Sequence, residues 1–279
     1  MSHLSYLSVS TWSLHRLLGP LRWTVWDESA RARKTVIQEQ PELLNLLDLP
    51  EEAAKRGFKA VEICHFHFPS TDSAYLEQLK KAFVSAGISF DTLLLDYGDL
   101  STADSERAEA DMSFMREWIR AASIAGAKRT RIVAGEAQPG DAEALERTAG
   151  RLLQLAEFAE TLSVQIITEN FKALTSTGES CMRLMDKVGG KVGLITDFGN
   201  FGGERKYTEL AMTIPVSVGI HAKSECDEQG YPDEAEFQRC LEAVRQSGFD
   251  GSFVIIYDGP GDMWAGIDRV RRLVEPVLA

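Results

Sequence analysis

Short apolar or β-branched runs alternate with longer stretches of helical periodicity along the whole chain. The runs are Leu4 to Ser10, Ala60 to Cys64, Phe90 to Leu95, Thr130 to Ala134, Val164 to Thr168, Val192 to Thr196, Val216 to Ile220 and Ser252 to Ile256. Between them, apolar residues recur in steps of three and four, the spacing that lines one face of a helix. Ala142, Leu145, Ala149, Leu152, Ala156 and Ala159 form one such face, and Met112, Met115, Ile119 and Ala122 another. Gly57, Gly87, Gly126 and Gly248 fall just before a run, where a helix C-terminus favours a left-handed residue.

Eight strand-then-helix units in 279 residues give about 35 residues each, the size of a βα repeat. No linker-like stretch interrupts the series. The pattern predicts an α/β fold, a single (β/α)8 TIM barrel spanning residues 1–279. One region departs from it. Gly19 to Gln40, with Trp23, Trp26 and the basic Arg31, Arg33 and Lys34, predicts an elongated loop or extra helix over the barrel mouth.

Charge narrows the partners. Acidic residues number 42 against 30 basic ones, a formal charge of −12. Nucleic-acid binding requires clustered Lys and Arg to neutralise phosphates, and no such run occurs. No apolar stretch is long enough to span a bilayer, and the first twenty residues lack the apolar core of a signal peptide. Cys64, Cys181, Cys226 and Cys240 lie far apart without a C-x-x-C pair, which reads as reduced thiols in the cytoplasm. A small-molecule substrate is expected, with no nucleic acid and no membrane. A homo-oligomer is compatible with this composition.

A parallel barrel carries its chemistry at the C-terminal ends of its strands. There the fifth run ends in Glu169-Asn170, the sixth in Asp197-Phe198-Gly199-Asn200 and the seventh in His221-Ala222-Lys223. Neighbouring strands lie ~4.8 Å apart, so Glu169, Asp197 and His221 can converge on one divalent metal ion. Carboxylate plus imidazole suits Mn²⁺, Mg²⁺, Zn²⁺ or Fe²⁺ without choosing among them. Each residue alone also reads as a helix cap or a structural histidine.

With Ser10-Thr11-Trp12, Gly57-Phe58-Lys59-Ala60-Val61-Glu62 and Thr168-Glu169-Asn170, these motifs run from end to end. In them the chain resembles the sugar phosphate isomerase/epimerase superfamily, the xylose-isomerase-like barrels. The resemblance implies a metal at Glu169, Asp197 and His221, and a fourth ligand, a Glu, ending the eighth run. Here that position is Ile256, which can neither bind a metal nor carry a proton. Epimerases of the superfamily use two metal-bound glutamates on opposite faces of the substrate, and this chain keeps one. Asp258, two residues on, is expected on the same face as a substrate-binding group.

His65 and His67, two apart in an extended segment, share a face and are expected to bind substrate. A His-x-His metal site of the amidohydrolase kind also needs histidines where this chain has Glu169 and Asp197. Trp12 and Asn200 complete the expected substrate-binding set, with Trp12 stacking on a ring or packing at the mouth. Lys223 faces the same way as His221 and serves an enolate, a substrate carboxylate, or a pair with Asp197 or Glu169. Asp96 and Glu136 line the mouth or cap helices. Asp258 and Asp262 flank the Gly259-Pro260-Gly261 loop and would repel a phosphate dianion.

These residues point to a metal-dependent isomerase or lyase acting on a small polyhydroxylated carbonyl compound (a sugar, inositol or keto acid) through an enediolate. Glu169, with a second oxygen free, or Lys223 or His67 would move the proton. The alternatives are a sugar epimerase and a degenerate barrel that binds a small ligand without turnover. An apurinic-site nuclease is opposed by the acidic charge and by only five histidines.

Overall fold

The computed structural model describes residues 5–278. Leu4, the start of the first predicted run, lies outside them. Eight parallel strands close into a barrel in which each strand after the first is separated from the next by helix. They are β1 (Tyr6–Ser10), β4 (Ala60–Cys64), β5 (Ser89–Leu94), β6 (Arg129–Arg131), β7 (Gln165–Glu169), β8 (Gly193–Asp197), β9 (Ser217–Lys223) and β10 (Ser252–Ile256). β1 closes the ring by pairing with both β4 and β10.

Every predicted run overlaps a strand. The fourth is the shortest, because the chain leaves the ladder after Arg131. The seventh runs longer than expected and takes His221 and Lys223 into the strand itself.

The helices begin and end where local chemistry directs. Asp104, Asp141, Asp233 and Asp262 accept backbone N–H bonds at the starts of α3 (Ser105–Ala125), α4 (Ala142–Glu160), α7 (Glu234–Ser247) and α8 (Met263–Val274). They satisfy donors that the first turn leaves open. Gly57, Gly87, Gly126 and Gly248 all take positive φ, as the pattern predicted.

Met112, Met115, Ile119 and Ala122 are buried on α3. On α4 the buried face holds Leu145, Ala149, Leu152 and Ala159, but Ala142 is exposed and Ala156 only half-buried. Leu155 and Ala144 take their places, since 3.6 residues per turn does not keep to a strict three-four alternation. The main apolar core lies between strands and helices. A second, smaller cluster of Cys64, Phe66, Leu94, Ile167, Ile195 and Leu21 includes strand residues of four barrel strands.

Residues 19–40 are neither loop nor helix. They form an antiparallel hairpin, β2 (Leu21–Asp27) and β3 (Ala32–Gln38), paired from Leu21↔Gln38 to Asp27↔Ala32. Both arms are rich in Trp, Val, Ile and Thr, which favour a pleated ribbon. The Asp27 carboxylate tightens the turn by accepting from the Ser29 and Ala30 N–H groups. Its position was foreseen correctly. Trp23 packs on Phe66, ring centroids 4.2 Å apart, and reaches the barrel mouth.

Candidate active site and metal centre

All eight strands end on one cavity of about 270 Å³. Side chains alternate across a strand, so each strand offers an inward residue at its last turn of the pleat. Around the ring these are Ser10, Cys64, Leu94, Arg131, Glu169, Asp197, Lys223 with His221, and Ile256. Trp12 and Trp23 form the aromatic side of the mouth, with Phe171 and Lys172 from the loop after β7.

Glu169, Asp197 and His221 each present a ligand atom within 4.8 Å of the others, and all three are buried. His221 Nδ1 lies 3.5 Å from Glu169 Oε1 and 3.5 Å from Asp197 Oδ2. Its other nitrogen, Nε2, is 2.8 Å from Glu62 Oε2. A neutral imidazole would donate from Nε2 to Glu62 and turn Nδ1 to the carboxylates, the arrangement a ligating histidine requires.

Burial alone would push the His221 pKa down. The carboxylates of Glu169 and Glu62, helped by Asp197, outweigh it and hold the imidazole well above 6.5. The cluster thus draws a positive charge to its centre, and its oxygen and nitrogen donors fit a divalent cation.

The two carboxylate strands are braced together. Asn170 Nδ2 donates to the Asp197 carbonyl (3.0 Å), and the Asp197 N–H donates back to Asn170 Oδ1 (2.6 Å). Asp197 Oδ1 accepts from the Gly199 N–H at 2.5 Å. The loop there runs so close to Lys223 that a Cβ on Gly199 would lie 2.8 Å from Lys223 Cδ.

The profile of the xylose isomerase-like TIM barrel family matches residues 50–273. The chain belongs to that family. Comparison with curated proteins finds no match. Among solved structures, an L-ribulose 3-epimerase superposes with a TM-score of 0.71 at 14% identity, over 99% of this chain and 95% of its own. The IolI protein with a bound zinc atom gives 0.69 at 16% identity, covering 98% of each chain. A xylose isomerase-like barrel from Mycobacterium smegmatis, in complex with magnesium, gives 0.64 at 16% identity over 84% and 89%. At these identities the likeness is one of fold.

The other expected residues divide. Trp12, Asn200 and Lys223 line the cavity with the triad. Trp12 stacks on His15, centroids 4.5 Å apart, and Asn200 Nδ2 donates to Glu169 Oε1 at 3.0 Å. Asn200 therefore holds the Glu169 carboxylate in place.

His65 and His67 are not brought to the cavity. The chain leaves the strand at Cys64 and turns through one short 3-10 turn, His65–His67, so the two rings do not share a strand face. His67 Nδ1 is 2.9 Å from Thr11 Oγ1, and His65 packs edge-on against Phe66, Phe114 and Trp118. Asp258 lies past the end of β10, exposed, lining an adjoining cavity of about 390 Å³ that shares Lys223 as its wall. Its carboxylate is 3.8 Å from Lys223 Nζ.

The second oxygen of Glu169 makes no hydrogen bond but faces a fixed charge. Oε2 stands 3.0 Å from the Arg131 Nε. Ile256 closes its side of the cavity as apolar wall, and among the described residues the ligand cluster stops at three. The loop after β10 is no phosphate cradle. Arg16 takes the Gly259 and Gly261 carbonyls, and Asp262 already occupies the N-terminus of α8.

Glu62 and Arg131 are the functional candidates that pattern reading passed over. Each is a charged residue inside a run that is otherwise apolar or β-branched, and that was the available signal. Glu62→Gln should weaken divalent-cation affinity by roughly 10–100-fold, the usual cost of losing a partner behind a ligating histidine. Calorimetric titration with Mn²⁺ checks it. Wild-type affinity in Glu62→Gln would show that Glu62 does not orient His221.

Proposed function

We propose that this protein is a divalent-metal-dependent isomerase or lyase that abstracts a proton next to the carbonyl of a small polyhydroxylated compound. The observation that carries the reading is the buried cluster of Glu169, Asp197 and His221 on three successive strands, with Lys223 on the same wall. A cation held by these three residues would supply Lewis-acid polarisation of the substrate carbonyl. The neighbours named as an L-ribulose 3-epimerase and a D-psicose 3-epimerase with D-fructose support a sugar-like substrate. Magnesium and zinc in others support a metal without choosing it.

Within the cavity we assign the proton transfer to Lys223, whose only ionic neighbour among the described residues is the more distant Asp258 carboxylate at 3.8 Å. Glu169 is engaged by Asn200 and Arg131, Asp96 by Arg131, and Glu62 by His221. Trp12 and Trp23 offer flat faces for the substrate body and keep water from one side. Ile256 gives the eighth strand no acid or base, which favours proton return on one face over two-base epimerisation. The formal charge of −12 keeps nucleic acid away, and the four unpaired cysteines fit a reducing compartment such as the cytoplasm.

The test is solvent exchange. Metal-loaded protein is incubated in D₂O with ketoses, inososes and keto acids, and deuterium at the carbon beside the carbonyl is read by mass spectrometry. Exchange is expected with at least one class, and Lys223→Met should slow it by ~10²–10⁴-fold, the usual contribution of a positioned acid–base group. Lys223→Arg is never neutral and so cannot accept the substrate proton; it should be equally impaired. Substrate binding without exchange would leave the non-catalytic barrel as the better reading.

A further inference from the structure

Arg131 is the cation that no ligand scheme for this site calls for. It ends β6, its side chain is 5% exposed, and it faces the same cavity as the triad. Its guanidinium is anchored from behind. Nη1 donates to the Leu95 carbonyl at 2.8 Å, and Nη2 to Asp96 Oδ1 at 2.5 Å. The remaining nitrogen, Nε, stands 3.0 Å from Glu169 Oε2.

That contact is electrostatic rather than an aligned hydrogen bond. Arg131 Nε and Glu169 Oε2 are both buried without a hydrogen-bond partner. The other oxygen of Glu169, Oε1, faces His221 Nδ1 and accepts from Asn200. The two carboxylate oxygens thus have separate surroundings, one toward the triad and one toward a fixed positive charge.

We propose that Arg131 is a positioning residue that reserves Glu169 Oε2, restricts Glu169 to one-oxygen ligation through Oε1, and lowers the affinity of the centre for a divalent cation. The inference rests on the metal reading above. Its physical basis is direct. An arginine stays charged at any working pH, so a second cation entering beside it meets repulsion as well as a carboxylate with half its capacity taken. With Ile256 in place of a fourth carboxylate, nothing on β10 compensates. The result is a centre built to hold its ion loosely and to keep Glu169 in one orientation when the ion is absent. Asp96 moderates the repulsion by neutralising part of the guanidinium charge.

The experiment is calorimetric titration of the full chain, first stripped with chelator, using Mn²⁺ alone. Arg131→Met should bind Mn²⁺ at least ten-fold more tightly than wild type, about 1.4 kcal/mol. Arg131→Lys, which keeps a positive charge, should stay near wild type. Asp96→Asn should shift the other way, toward weaker binding, because it leaves the Arg131 charge unopposed. A structural role for Arg131 alone would give weaker binding in Arg131→Met and no opposite shift in Asp96→Asn.

Equal or weaker Mn²⁺ binding by a folded Arg131→Met, judged by near-ultraviolet circular dichroism, overturns the proposal. If Arg131→Met does not fold, Asp96→Asn decides, and unchanged or tighter binding there overturns it. Asp197→Asn run in parallel separates the two readings. If it binds Mn²⁺ as well as wild type, the metal assignment itself is wrong, and the role of Arg131 falls with it.

Discussion

Asp197→Asn should strip the divalent cation from the barrel while leaving the barrel folded. Asparagine has the shape of aspartate and keeps an oxygen for the Gly199 N–H, which Asp197 Oδ1 now accepts at 2.5 Å. The brace to Asn170 uses only the backbone of residue 197 and is untouched. What disappears is one of two ligand charges in a cluster of three. Affinity should fall by more than the ~10–100-fold that losing a partner behind a ligand costs, and carbonyl-directed activity should fall with it. Metal analysis of the purified variant gives the answer. Stoichiometric metal at wild-type occupancy would sink the assignment, whereas a melting temperature within about 4 °C of wild type would show that less than roughly 1–2 kcal/mol of fold stability was lost.

Acidification should destabilise the protein well above the pH that titrates its carboxylates, and His65 and His67 should be responsible. Burial pushes the His65 pKa down to about 4, with the attraction of Asp96 only partly offsetting it. Burial also pushes His67 down to about 3, with His15 and His65 adding repulsion. Both are neutral in the fold, while the unfolded chain binds their protons near pH 6.5.

Their contribution is therefore complete above pH 6.5 and is lost as pH falls through 6.5 toward 4 and 3. At pH 5 each histidine costs about 2 kcal/mol, since a shift of one unit is 1.36 kcal/mol. Together they remove about 4 kcal/mol from a total that for a domain is typically ~5–15. Urea unfolding at pH 7 and pH 5 measures the loss. His65→Phe, placing an aromatic ring among Phe66, Phe114 and Trp118, should reduce that pH dependence by about half. An unchanged pH dependence in His65→Phe would mean that His65 is not the group being protonated.

These histidines also mark where local pattern stopped being enough. A period of two along Cys64 to His67 assigns both rings to one face, and that holds only while the chain remains a strand. The chain instead turns at His65, because β4 ends at Cys64 and Phe66 seats itself against Trp23 of the hairpin. The hairpin was itself legible in its alternating Trp, Thr, Val and Ile residues. It was missed because it lies outside the eightfold repeat that organises the rest of the chain.

Periodicity and strand-end chemistry determined the barrel and the triad without tertiary information. Both are local properties. A parallel barrel brings every strand to the same mouth, so the residue type ending each run is enough to place Glu169, Asp197 and His221 together. Closure of the ring decided the rest. Glu62 reaches His221 across the barrel interior, and Arg131 reaches Glu169 from the neighbouring strand, only because eight inward side chains share one cavity. Whether an arginine is a solvated surface charge or a buried neighbour of a ligand carboxylate depends on what stands opposite it. That is set by long-range packing, and no run of adjacent residues records it.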